Sequence, residues 1–113
     1  MRIRTEIGVG KHNVSLAGRF DAHEANGFRL AVEPLLAEPG TIVRIDLANV
    51  VFVDSSALAE LLRAQRSATA AGGDLVLVDV SDPVRVILEL TALGPVFTTE
   101  LSGVATSGAG DGR

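Results

Sequence analysis

The residues best suited to chemistry are three polar side chains in succession, Asp54, Ser55 and Ser56, placed directly after the apolar run Val50, Val51, Phe52 and Val53. Asp and Ser at such a point are ordinary caps of a following helix. Capping does not need three polar residues in a row, so at least one hydroxyl is expected to face solvent. Strand–helix junctions of this kind are where open α/β sheets gather functional groups. An exposed serine at a helix N-terminus suits phosphorylation. The phosphate adds roughly −1.5 to −2 charge at pH 7, and free backbone N–H groups and the helix dipole accommodate it. The fold is expected to survive the modification, whereas a partner pressed against the helix would meet new charge and bulk.

Other chemistries lack their parts. A serine nucleophile needs a general base and an oxyanion hole. The segment is not a Gly-x-Ser-x-Gly elbow, and the two histidines, His12 and His23, belong to other elements. Gly8-Val9-Gly10-Lys11 lacks the phosphate-loop spacing and precedes a strand, so it reads as part of a hairpin turn. Asp74, Asp79 and Asp82 do not follow calcium-loop spacing and read as caps and strand-end solvation. The absence of cysteine excludes disulfides and thiolate sites. A net charge of −4 argues against a nucleic-acid partner, and the lack of Trp and Tyr removes most stacking platforms. No apolar run reaches the ~18 residues of a membrane span, and Met1-Arg2-Ile3-Arg4 opens an alternating pattern instead of a signal segment. These features lead to the expectation of a cytoplasmic, non-catalytic protein without metal, cofactor or membrane insertion.

The elements that position the Asp-Ser-Ser segment follow from periodicity. Ile3, Thr5, Ile7 and Val9 alternate with polar residues, which predicts a half-buried strand. Gly10 to Asn13 reads as a turn, Val14 and Leu16 as a second antiparallel strand, and Gly18 as its end. Asp21 with Glu24 predicts a capped helix start, followed by Ala25, Phe28, Val32 and Leu35 at helical spacing and a stop at Pro39-Gly40. Ile42 to Leu47 predicts a third strand. A helix then runs from Asp54 past Leu58, Leu61, Leu62 and Ala68 to a glycine stop at Gly72-Gly73. Leu75 to Val80 reads as a strand covered on both faces. Asp82 as cap with Pro83 at the first helical position opens the last helix, which ends at Gly94-Pro95, and Val96–Thr99 allows a further short strand. The predicted class is α/β: a mixed sheet, antiparallel at its N-terminal hairpin and parallel through right-handed crossovers, with helices packed on it. One domain is expected over residues 1–100, with a flexible Gly/Ala/Ser-rich tail over 101–113.

From Asp54-Ser55-Ser56-Ala57-Leu58 onward the sequence resembles the STAS domain, and within it the bacterial anti-sigma factor antagonists. Leu16 to Asp21 is similar to the family's segment after its second strand, and Ile45 to Leu47 with Val50 to Leu58 to its third strand and phosphoacceptor loop. Ala71 to Leu75, Pro83 to Arg85 and Leu90 to Leu93 are similar to the turn and helix beyond; together these cover about residues 3 to 99. The resemblance implies an antagonist that binds an anti-sigma factor with serine kinase activity, frees a sigma factor, and is switched off by phosphorylation at Ser55, with Ser56 a minor acceptor. A phosphatase would reverse the mark. The implied docking face comprises Gly18, Arg19, Phe20 and Asp21 with Asp54, Ser55, Ser56, Ala57 and Leu58. An alternative within the same fold is a structural subunit of a transport or signalling assembly that never cycles. Two departures stand out: Ala57 occupies a position where the family usually has Gly, and the segment from Thr98 on has weak helical periodicity where the family commonly ends in a further helix.

Overall fold

In the computed structural model, residues 1–102 are described, so the tail expected over 101–113 lies outside the described residues apart from Leu101 and Ser102. The element order is β1 (Arg2–Glu6), β2 (Lys11–Phe20), α1 (Ala22–Leu36), β3 (Ile42–Val53), α2 (Ser55–Ala70), β4 (Asp74–Val78) and α3 (Asp82–Leu90). A 3-10 turn (Gly94–Val96) and β5 (Thr98–Glu100) follow. The five strands form one sheet in sequence order. β1 and β2 are antiparallel, and β2 to β5 run parallel. This is the mixed α/β architecture that the periodicity predicts.

The sheet has one dry face. Val14 and Leu16 of β2, Val43, Ile45 and Leu47 of β3, and Leu75 and Leu77 of β4 share a single buried cluster with residues of all three helices. From α1 come Phe28, Val32, Leu35 and Leu36; from α2, Leu58, Leu61, Ala64 and Ala68; from α3, Val84 and Leu88. Phe20 joins them against Phe28, with ring centroids 5.0 Å apart. The other face is polar along β1 to β3, where Arg4, Ser15 and Asp46 lie in one transverse row and Glu6, Asn13 and Arg44 in the next. Arg44 reaches across β4 on this face and joins Asn13 Oδ1 (3.1 Å) to Glu100 Oε1 (2.6 Å). All four residues Leu75–Val78 are buried, as the unbroken apolar run of β4 requires.

Several boundaries differ from the sequence expectation. The first strand stops at Glu6, the turn falls at Gly8–Gly10, and Ile7 and Val9 are left exposed. Lys11, His12 and Asn13, expected in the turn, begin β2, with His12 buried. Gly18 does not end β2. It sits at a register irregularity with φ +104, a conformation open to glycine at little cost, and the strand continues to Phe20. β3 runs unbroken through residues 48–53 as well as the expected span. β4 ends at Val78, two residues short of Val80. Ser81, not Asp82, stands at the N-cap position of α3, without a side-chain capping bond, so Asp82 and Pro83 occupy the first two helical positions. α3 itself ends at Leu90, and the following short strand is Thr98–Glu100.

Candidate functional site

The site forms where β2 and β3 end side by side. Phe20 pairs with Val53 across the parallel ladder, and the Asp54 N–H donates to the Phe20 carbonyl at 3.4 Å. The chain therefore leaves the sheet at two adjacent points, Asp21 and Asp54, and begins a helix at each. Asp21 caps α1 by accepting from the His23 N–H at 3.1 Å. The expected capping-box partner, Glu24, turns its carboxylate to the N-terminal ammonium of Met1 instead, at 3.6 Å.

Asp54 makes two bonds that define the local geometry. Its Oδ1 accepts from the Ala57 N–H at 3.0 Å, which caps α2. Its Oδ2 accepts from the Ala22 N–H at 3.1 Å, which is the first residue of α1. One carboxylate thus ties two helix N-termini together and leaves the two serines free of the capping task. Ser55 occupies the first helical position and is exposed; Ser56 follows half-buried. Among the described residues no partner holds the Ser55 hydroxyl. The first amides of a helix have no intrahelical acceptor, so Ser55 projects from an electropositive helix end.

Of the other expected docking residues, Arg19 is exposed and lies over the Phe52 ring at 4.0 Å, within reach of Asp21 Oδ2 at 3.7 Å. This cation–π contact holds the guanidinium at the rim of the site. Phe20, Ala57 and Leu58 are buried in the core and act by placing their neighbours. Ala57 has no exposed surface, so its methyl points into packing. Three contributors escape sequence reasoning: the Ala22 amide, the Phe52 ring and Ser81, whose hydroxyl donates to the Val50 carbonyl at 2.7 Å. Their partners lie 31 to 33 residues away, which no periodicity reports.

A second charged cluster braces the helices behind the site. Arg29 of α1 donates to both oxygens of Glu60 of α2, at 3.3 and 2.6 Å, and Arg63 adds a bond at 2.9 Å. The Arg29 hydrogen bonds hold the Glu60 carboxyl below its ordinary range, against the opposing effect of burial. A depression of about 860 Å³ between α3 and β5, lined by Val80, Leu88 and Pro95 among others, includes none of the site residues. The site is an exposed hydroxyl at the junction of two helix starts that one carboxylate ties together.

A five-stranded mixed sheet of this topology, with a polar helix start at the end of its third strand, is the architecture of a STAS domain. The family model described as "Mlab, STAS domain" matches residues 3–99. The chain is 31% identical over 85 residues to the anti-sigma-B factor antagonist of Listeria monocytogenes, covering 75% of each protein. It is 26% identical over 108 residues to the anti-sigma F factor antagonist of Paenibacillus polymyxa, covering 92% of each. Its fold matches an anti-sigma factor antagonist from Mycobacterium paratuberculosis with a TM-score of 0.76 and 25% identity, over 88% of this chain and 84% of that one. It also matches the anti-sigma factor antagonist SpoIIAA in its unphosphorylated form, with a TM-score of 0.74 and 21% identity over 87% of each chain. The chain belongs to the STAS domain family, among its anti-sigma factor antagonists.

Proposed function

We propose that this protein is a phosphorylation-switched antagonist: unmodified, it docks on an anti-sigma factor that is also a serine kinase and so releases a sigma factor, and phosphorylation of Ser55 ends the docking. The observation that carries this reading is Ser55 itself, an exposed hydroxyl at the first position of α2 whose neighbour Asp54 already performs the capping. Ser55 is free to be modified because the helix does not depend on it. The chain acts as substrate and ligand, with a separate phosphatase removing the mark. Support also comes from the relatives, which are named as antagonists of anti-sigma factors, and from SpoIIAA, whose structure is known in a phosphorylated form as well. The docking face comprises Arg19, Asp21, Asp54, Ser55 and Ser56, set in place by Gly18, Phe20, Ala57 and Leu58.

The test is incubation with a candidate anti-sigma kinase and ATP, followed by mass spectrometry of the intact and digested protein. One phosphate on Ser55, absent from Ser55→Ala, is the expected result. A phosphate confined to Ser56 would move the switch by one residue. No phosphate at either position, together with co-purification of a transport ATPase, would identify a structural STAS subunit instead.

A further inference from the structure

Among the described residues β1 bonds only to β2, so its outer edge presents N–H and C=O groups that no described strand pairs, the usual template for a further strand. Arg2, Arg4 and Glu6 stand on the polar face of the sheet, opposite Ala17, Ser15 and Asn13 of β2. Ile3 faces the core side and packs against the buried cluster. Thr5 shares that side and is exposed. Ile7 continues the alternation just past the strand end and is 65% exposed. Among the described residues neither Arg4 nor Glu6 has an ion-pair partner within the chain.

We propose that this edge pairs with the same edge of a second copy, β1 running antiparallel to its twin about a two-fold axis at Thr5. The register follows from the faces. A two-fold axis perpendicular to the sheet keeps each face on its own side, so a residue can only stand opposite one of its own face. Centring the axis on Arg4 would set that arginine against its own copy. Centring it on Thr5 sets Arg4 opposite Glu6 of the second copy, twice by symmetry, with Thr5 against Thr5. Ile3 then stands opposite Ile7 of the copy once the strand lengthens by one residue. Opposite-charge and apolar cross-strand pairs are the units that stabilise a sheet. The second copy is favoured over another partner because the segment is complementary to itself in charge and in apolar content. The contact is short and charged, below the ~1,000 Å² of a permanent interface, so the dimer is weak and reversible. It is independent of the Ser55 reading.

Sedimentation equilibrium at low salt, from micromolar to millimolar protein, tests the proposal. The expected result is a monomer–dimer equilibrium that weakens with added salt. Arg4→Glu and Glu6→Arg each convert two attractions into two repulsions and should weaken association by roughly tenfold or more. Mixing the two variants should restore dimers as heterodimers, since all four facing charges are then opposite, and the double variant should dimerise again. Circular dichroism confirms that the variants fold. A protein that stays monomeric throughout, a dimer indifferent to both reversals, or variants that fail to pair on mixing would each overturn the proposal.

Discussion

At the scale of single residues, Asp54 and Ser55 divide the work of the site between them. Asp54 spends both carboxylate oxygens on backbone amides of two helices, so its removal frees two donors at once. Asp54→Ala is expected to lower stability by about 1–3 kcal/mol, combining a lost cap with a lost charge-assisted bond. Asp54→Asn should recover part of that, because one amide oxygen still accepts. Ser55→Ala, by contrast, should change unfolding by less than about 0.5 kcal/mol, since the hydroxyl has no hydrogen-bond partner among the described residues, while abolishing phosphate incorporation. Thermal or chemical denaturation of the three variants, with the kinase assay on Ser55→Ala, checks the division. A large destabilisation by Ser55→Ala would show that Ser55 shares the cap.

At the scale of elements, the helix ends and the helix pair carry the predictions. α2 stops because Gly72 adopts φ +83 and the Gly73 N–H returns to the Ala68 carbonyl at 2.9 Å. A Cβ at Gly73 would lie 1.9 Å from the Thr41 carbonyl oxygen, so Gly73→Ala must displace backbone. It should destabilise the protein more than Gly72→Ala, whose cost is about 1–2 kcal/mol for a left-handed residue. Differential scanning calorimetry ranks the two. Between α1 and α2, Glu60 has its pKa lowered, first by the Arg29 hydrogen bonds. A depressed carboxyl contributes stability that is present above its unfolded value and lost as pH falls through its folded value. The wild-type protein should therefore lose stability relative to Glu60→Gln on acidification below the ordinary glutamate range, the gap between their unfolding midpoints narrowing as pH falls. A gap that stays constant would remove Glu60 from the acid response. The elements themselves were legible in the sequence: the helix cap at Asp21 and the glycine stop at Gly72-Gly73 are local signals. The boundaries that moved are those set by neighbouring strands. Gly18 reads locally as a stop, yet the ladder with β3 carries β2 past it to Phe20.

At the scale of the whole molecule, phosphorylation should act on binding and leave the fold in place. A phosphate on Ser55 meets a favourable helix end but also the Asp54 carboxylate, so the two effects nearly cancel and unfolding should shift by less than about 1 kcal/mol. Pressed into an interface, the same charge must be desolvated, and partner affinity should fall by ~100-fold or more. Calorimetry and a binding titration on the two forms test both halves; equal affinity would defeat the switch, and extensive unfolding would replace charge with conformational change as its mechanism. Alternation, helical spacing and turn residues in the sequence by themselves determined the α/β class, the order of elements and the exposure of a hydroxyl after Asp54, because each depends on residues a few positions apart. Only the tertiary structure decided that Asp54 rather than Ser55 is the cap, that the same carboxylate reaches Ala22, that Arg19 rests on Phe52, and that Ile7 stays outside the core. The physical reason is that these depend on the parallel β2–β3 register and on where the helices stop covering the sheet, and both are set by packing between segments distant in the chain.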